Sequence, residues 1–286
     1  MQYDWVVTVR EANLTLIAFV QQRLKDKSFS MRKIKGWIDG GFCFIKGRPQ
    51  RFSRTFVQPG DKIQLAVPEL REPAPIQIIY EDEHLLVIDK PAGTTCDERL
   101  VKDLAKMDKK IELVHRLDKE TTGLLICAKS ADVKAAFVEQ FRKLAVQKQY
   151  LAIVDGVVKD NKGSIENYLG PIERYQGHVK WGVVYKDGHF AASDWQVVKR
   201  GKSATILSLV PKTGKTHQLR IHASGMGHPI LGDHTYANKG FRCPYKAYRV
   251  LLHAQMLRFV HPKTGAVVEL EAPPPEDFAA CMKELF

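Results

Sequence analysis

His115-Arg-Leu-Asp118-Lys-Glu-Thr-Thr-Gly123 runs straight into Leu124-Leu-Ile-Cys-Ala-Lys129. The second half is a short apolar run that reads as a strand. The first half sets Asp118 after an apolar residue and before a polar turn closed by Gly123, so its carboxylate is expected at the mouth of a sheet. Most aspartates in such places serve the turn itself. Taken alone, this one reads the same way.

Working outward, further strand-like runs occur at 76–80, 85–88, 150–154, 195–198 and 206–210, with few helices among them. The clearest helix is predicted over 131–144, with Val133, Phe137, Phe141 and Leu144 on one side. This mixture predicts an α+β fold, whose main domain at 76–286 is built on a large, mainly antiparallel mixed sheet with flanking helices. Pro68-Glu-Leu-Arg-Glu-Pro73-Ala-Pro75 precedes it as a stiff, extended linker. Before the linker, residues 1–70 are expected to form a small α/β domain. Leu14, Ile17, Val20 and Leu24 recur at helical spacing, and a second helix begins after the N-cap Ser30 and stops at Gly40-Gly41. Strands are expected at 42–45 and 62–67, with turns at Lys46-Gly47-Arg48 and Gln58-Pro-Gly-Asp61.

The 286 residues carry 44 Lys/Arg against 32 Asp/Glu, a net charge of +12, which favours a polyanionic partner. Residues 1–70 hold 12 Lys/Arg and 6 Asp/Glu, so about a quarter of the chain supplies half of the excess. Nucleic acid is the first partner this suggests. An anionic membrane is the second, and no stretch approaches transmembrane length. The five cysteines are scattered and no signal-peptide pattern precedes them, so reduced thiols and a cytoplasmic location are expected. Monomer is the default, and no obligatory protein partner is evident.

Trp37-Ile-Asp-Gly-Gly41, Phe44-Ile-Lys-Gly47 and Val57-Gln-Pro-Gly-Asp61 resemble the recurring phrases of the RNA-binding domain named after ribosomal small-subunit protein S-four. The resemblance covers roughly residues 12–67. It implies RNA contact through the basic face of the second helix, where Arg32, Lys33 and Lys35 cluster.

Five strings stand in order over roughly residues 76–275: Asp89-Lys-Pro-Ala-Gly93, His115-Arg-Leu-Asp118 onward to Gly123, Lys148-Gln-Tyr150-Leu-Ala, Thr213-Gly-Lys-Thr-His217-Gln-Leu-Arg220-Ile-His222, and Leu252-His-Ala254. Jointly they resemble the RluA-type family of pseudouridine synthases. The resemblance implies an isomerase that works without cofactor or metal and converts uridine to pseudouridine in RNA after flipping the base out. It makes Asp118 the carboxylate at the ribose, Arg220 its charge partner and Tyr150 the active-site tyrosine. It sets Arg116 against the displaced nucleotide and Leu252 in the wall of the uracil pocket. His115 reads as structural. A covalent and an elimination route both use such a carboxylate, and the residues do not separate them. Lys119 and Lys215 replace the family's commoner arginines, and Thr122 its serine. The front domain tilts the expected substrate toward ribosomal RNA, with transfer RNA the alternative.

Three other readings meet obstacles in the residues. His217, His222, His228 and His234 invite a metal, but His217 and His222 are five residues apart and no Cys or Glu joins them at ligand spacing. A binding-only protein fits the charge equally well, yet has no use for Asp118, Tyr150 and Arg220 together. A nucleotide glycosidase shares the carboxylate logic but lacks a second acid at the matching positions.

Overall fold

The computed structural model describes residues 2–27, 29–39, 41–50, 52–67, 74–105, 111–175, 178–237 and 241–286, without the side chains at 32, 39, 49, 175 and 178. Gly40, residues 68–73 of the expected linker and the Arg32 side chain therefore lie outside the described residues. The chain divides into two compact units, one within residues 1–72 and one built from 73–237 and 241–286.

In the first unit, β1 (Gln2–Val6), α1 (Leu16–Arg23), α2 (Met31–Asp39), β2 (Cys43–Ile45), β3 (Arg48–Gln50) and β4 (Lys62–Ala66) follow one another. The strands form an antiparallel sheet in the order β1-β4-β2-β3. Phe19, Val20, Ile34 and Ile38 from the helices close over Ile63 and Leu65 of the sheet. Ser30 starts α2 as expected, its hydroxyl accepting from the Lys33 amide. The helix over 14–24 begins later than its apolar spacing suggests, because Thr15 is the N-cap and accepts from Ala18 N. Asp61 gives the Pro-Gly-Asp turn its purpose: the carboxylate accepts from Gln58 N at 2.8 Å and pairs with Lys46 at 2.8 Å. Strand β1 was not foreseen. It alternates between exposed and half-buried positions, with Gln2 and Asp4 outward and Tyr3 and Trp5 inward.

The second unit runs β5 (Gln77–Glu81), β6 (Leu85–Lys90), α3 (Glu98–Leu104), β7 (Glu112–Leu113), β8 (Thr122–Ala128), α4 (Ala131–Arg142), β9 (Gln147–Asp155) and β10 (Lys162–Tyr175). It continues with β11 (His178–Val183), β12 (His189–Arg200), β13 (Ala204–Pro211), α5 (Gln218–Gly225), β14 (Leu252–Val260), β15 (Val267–Glu271) and α6 (Glu276–Leu285). The strands join an 11-stranded sheet in the order β11-β10-β12-β13-β9-β14-β8-β6-β5, with β15 on β14 and β7 on β8. Among the described pairings only β14 with β8 is parallel. The sheet is thus the large, mainly antiparallel mixed sheet that the alternation of runs predicts.

The apolar runs at β6 and β8 are continuous because both faces are covered. Leu86, Ile88, Leu125 and Cys127 enter one core, shared with α3 and α6 through Leu100, Leu104, Phe278 and Cys281. Leu85, Val87, Leu124 and Ile126 enter the other, under Val133 and Phe137 of α4. Helix α4 is shorter than its periodicity suggests. It ends at Arg142, and Leu144 turns outward at φ 57°, where Ala145 N closes back on Gln140 O.

Gly123 is required by the sheet. It sits at φ 109°, opposite Ala254 in the parallel pair, and a Cβ there would collide with the Ala254 backbone. The glycine that closes the Asp118 turn thus lets β8 meet β14.

Candidate active site

A cleft of about 670 Å³ opens at the end of β8, β9 and β14 and reaches the N-terminal end of α5. Arg116, Asp118, Tyr150, Arg220 and Leu252, which come from four separate stretches of the chain, all line it. Asp118 lies in the loop between β7 and β8 with its side chain 22% exposed. Its carbonyl accepts from Thr121 N, forming the turn that delivers the chain into β8. Arg116 is exposed at the rim, and Leu252 is buried at the start of β14.

Arg220 projects from α5 and divides its guanidinium between two acids. Nε and Nη2 donate to Asp233 at 2.7 and 2.9 Å, a bidentate pair that fixes the plane of the fork. Nη1 is then left to point at Asp118 Oδ2, 3.3 Å away. Burial opposes the charge on Arg220, but Asp233 outweighs it and holds the pKa above the ordinary arginine value. Asp233 also accepts from Thr235 N and Tyr236 N, and the Tyr236 ring lies 5.2 Å from the guanidinium carbon.

His217 occupies the N-cap of α5 in the left-handed conformation, φ 55°. Its Nδ1 is 2.8 Å from the Tyr236 hydroxyl, and its Nε2 is 3.9 Å from Asp118. Burial, then the neighbouring Arg220, lower its pKa, so the ring is neutral at pH 7. A strained backbone held by such partners is common where a site demands one geometry. Gln218 supplies the restraint. Its oxygen accepts from Thr213 Oγ1 and Lys215 N, and its amide nitrogen donates to Ala192 O and Ser193 Oγ.

Tyr150 is buried on β9. Burial, and secondly the charge of Asp118, push its phenol pKa above the ordinary value of 10, so the hydroxyl stays protonated. His115 turns away from chemistry: its Nε2 accepts from Ile126 N at 2.9 Å, and burial drives its pKa down to about 3. That is the structural part expected of it. The four clustered histidines go to different partners. His217 meets Tyr236, His222 meets Asn167, His228 meets the Asp155 carbonyl and His234 packs on Phe241. Among the described residues no group of three potential ligands converges.

In the other unit Lys33 stands 5.2 Å from the Phe29 ring and 6.0 Å from that of Trp37. Lys35 is half-buried on the same helix.

The model of the family described as RNA pseudouridylate synthase matches residues 84–225. Ribosomal large subunit pseudouridine synthase C of Buchnera aphidicola subsp. Acyrthosiphon pisum is 35% identical over 71% of this chain and 68% of its own length. Ribosomal large subunit pseudouridine synthase D of Pseudomonas aeruginosa is 34% identical over 87% of this chain and 85% of its own. The chain belongs to the RNA pseudouridylate synthase family. A solved structure, human RNA pseudouridylate synthase domain containing 4, is 30% identical and superposes with a TM-score of 0.61 over 73% of this chain and 92% of that one.

In this pseudouridylate synthase three features of the site carry no mark in the sequence, one that orients Arg220 and two that hold the Asp118 loop. Nothing local in the sequence marks Asp233 as the bidentate partner of Arg220. Lys90 is fully buried, and its ammonium donates to the carbonyls of Pro91, Thr94 and Lys119 at 2.9, 3.0 and 3.3 Å. Burial brings its pKa down to about 8. Gly93 N also donates to Lys119 O, so the Asp89–Gly93 string grips the residue after Asp118. Arg249 holds the next one. It pairs with Asp277 of α6 at 2.5 and 2.7 Å and donates Nη1 to Glu120 O at 3.2 Å.

Arg249→Met keeps the apolar stem and removes the grip. It is expected to cost about 1–3 kcal/mol, since the Glu120 and Val250 carbonyls lose a charged donor. A loosened loop should lower kcat roughly 10²-fold with KM little changed, as small misplacements of reacting groups do. Urea midpoints and steady-state kinetics check both; a wild-type kcat in a destabilised variant would make Arg249 purely structural.

Proposed function

We propose that this chain isomerises uridine to pseudouridine in structured RNA, with large-subunit ribosomal RNA as the substrate class and Asp118 as the carboxylate acting at the ribose. The observation that carries the reading is Asp118 at 3.3 Å from a buried guanidinium whose other edge is fully engaged. A carboxylate so paired at the mouth of a basic cleft suits attack on, or stabilisation of, the sugar carbon of a flipped nucleotide. The bond from N1 to C1′ breaks, C5 takes its place on C1′, and the C5 hydrogen leaves to solvent while N1 gains one. No oxidant, reductant or second substrate enters that balance.

The same reading assigns the remaining roles. The Tyr150 ring stacks on the uracil, and its protonated hydroxyl relays the C5 hydrogen. Leu252 forms an apolar wall for the base, and Arg116 at the rim supports the displaced nucleotide. Residues 1–70 act as an S-four-type RNA-binding domain through Arg32, Lys33 and Lys35, and residues 76–286 form the catalytic domain. The large-subunit synthases among its relatives favour ribosomal RNA over transfer RNA. We place the enzyme in the cytoplasm as a monomer; among the described residues no helix is long and apolar enough to cross a membrane.

The test is tritium release from unmodified RNA labelled at uracil C5, with no added metal or nucleotide, followed by mapping of the modified uridine. Release from ribosomal RNA supports the reading, and absence of release from ribosomal and transfer RNA alike overturns it. Tyr150→Phe keeps the stacking ring and removes the relay. Single-turnover release should slow by about 10²–10⁴-fold with RNA affinity unchanged; an unaltered rate would take the hydroxyl out of the mechanism.

A further inference from the structure

The cleft does not end at the Asp118 carboxylate. It continues over the C-terminal turn of α4, where Val138, Phe141 and Leu144 line it together with Lys148. Three features of this extension have no purpose in the folded chain alone. First, Leu144 is 60% exposed and Val138 is 50% exposed, and both line the cleft. Second, Leu144 occupies the left-handed position after α4 at φ 57°, which a glycine would fill without strain. A leucine there is unfavourable both for the backbone and for solvation.

Third, the Lys148 ammonium has no acid and no hydrogen-bond acceptor among the described residues. It stands 5.7 Å from the Phe141 ring centroid and 3.8 Å from where a Cβ on Gly214 would lie, between α4 and the 213–217 loop. Burial lowers its pKa, and among the described residues the Phe141 ring face is the partner it meets, with no anion to offset the desolvation. The charged lining residues are Arg116, Arg142, Lys148, Lys215 and Arg220 against Asp118 alone. Arg142 is engaged by Glu139 and Arg220 by its two acids. Lys148 is therefore a half-buried cation awaiting an anion, next to an apolar shelf awaiting a flat partner.

We propose that this extension is a subsite for the RNA nucleotide adjoining the flipped one, with Lys148 taking a backbone phosphate and Leu144 and Val138 receiving its base. The inference rests on the reading of Asp118 as the reacting group, because the subsite continues the same cleft. RNA is the occupant because one strand presents an anion and a flat face at fixed spacing, and that strand must already enter the cleft to deliver its uridine.

Leu144→Gly separates folding from binding. It relieves the left-handed strain and removes the exposed methyls, so the melting temperature is expected to hold or rise. Affinity for an unmodified large-subunit rRNA transcript should fall by about fivefold, as the base loses its apolar contact. Lys148→Met should reduce the slope of log K against log salt by about 0.7, one phosphate contact on a single strand, while Lys148→Arg retains it. Filter binding at several salt concentrations reads both, and C5 tritium release is measured in parallel on the wild-type protein. A Lys148→Met slope equal to wild type overturns the subsite whatever the leucine variant does. Tritium release by wild type with unaltered Lys148→Met binding discards the subsite and keeps the reaction. No release by wild type with a reduced Lys148→Met slope discards the reaction and keeps the phosphate contact.

Discussion

Asp118→Asn is expected to abolish tritium release from uracil C5 and to leave RNA affinity and folding as they are in the wild-type protein. The loss is expected to reach about 10⁴-fold or more, the scale seen when a nucleophile is removed. The substitution is isosteric, and the turn it sits in is made by the Asp118 carbonyl, which accepts from Thr121 N and is unaffected. The amide oxygen still accepts from Arg220 Nη1, and Arg220 keeps its bidentate pair with Asp233. What disappears is the charge at the sugar. Tritium release with equal amounts of wild type and variant, together with a melting curve and an RNA titration, reads all three consequences. Residual release near the wild-type rate would mean that another group attacks the ribose.

Asp233→Asn acts on both stability and rate. Asp233 is buried and accepts from Arg220 Nε and Nη2 and from the amides of Thr235 and Tyr236. The amide keeps one acceptor for the two backbone donors but cannot receive the guanidinium through two oxygens. A buried arginine then loses the acid that outweighs its desolvation, and breaking such a pair costs about 3–5 kcal/mol. The remaining acid near it is Asp118. Arg220 is expected to turn its free edge there, tightening a contact that stands at 3.3 Å and blunting the carboxylate as a nucleophile. A shift of the urea midpoint and a fall in kcat therefore arrive together. Asp118→Asn, by contrast, moves kcat alone. A variant with wild-type stability and rate would show that Asp233 does not set the orientation of Arg220.

Much of the site was legible before any coordinates. The string around Asp118 announced a carboxylate delivered by a turn into a strand, and β8 follows it as expected. Tyr150 and Arg220 were placed by resemblance, each through immediate neighbours in the chain. Local patterns failed where burial is decided at a distance. Leu144 fits the apolar stripe of α4 at helical spacing, yet the helix ends two residues earlier and the side chain faces the cleft. Strand β1 is only five residues long, and it is held by pairing along β4.

Charge pairing was the least readable layer. Lys90, Asp233 and Arg249 are ordinary polar residues in sequence, and the contacts that tie them to the site, Lys90 to Lys119 O, Asp233 to Arg220 and Arg249 to Glu120 O, are made across 29, 13 and 129 residues. Arg249 meets Glu120 across 129 residues, and Arg220 meets Asp118 across 102. By itself the sequence determined the α+β class and the basic character, because periodicity, turn chemistry and composition are local properties, while the candidate cleft residues were named through the family resemblance. Only the tertiary structure decided how those residues are held: which edge of Arg220 faces Asp118, which buried cations grip the carbonyls behind it, and that Lys148 faces the cleft without an anion among the described residues. A buried charge must find its counter-charge in space, and spacing along a chain carries no record of that search.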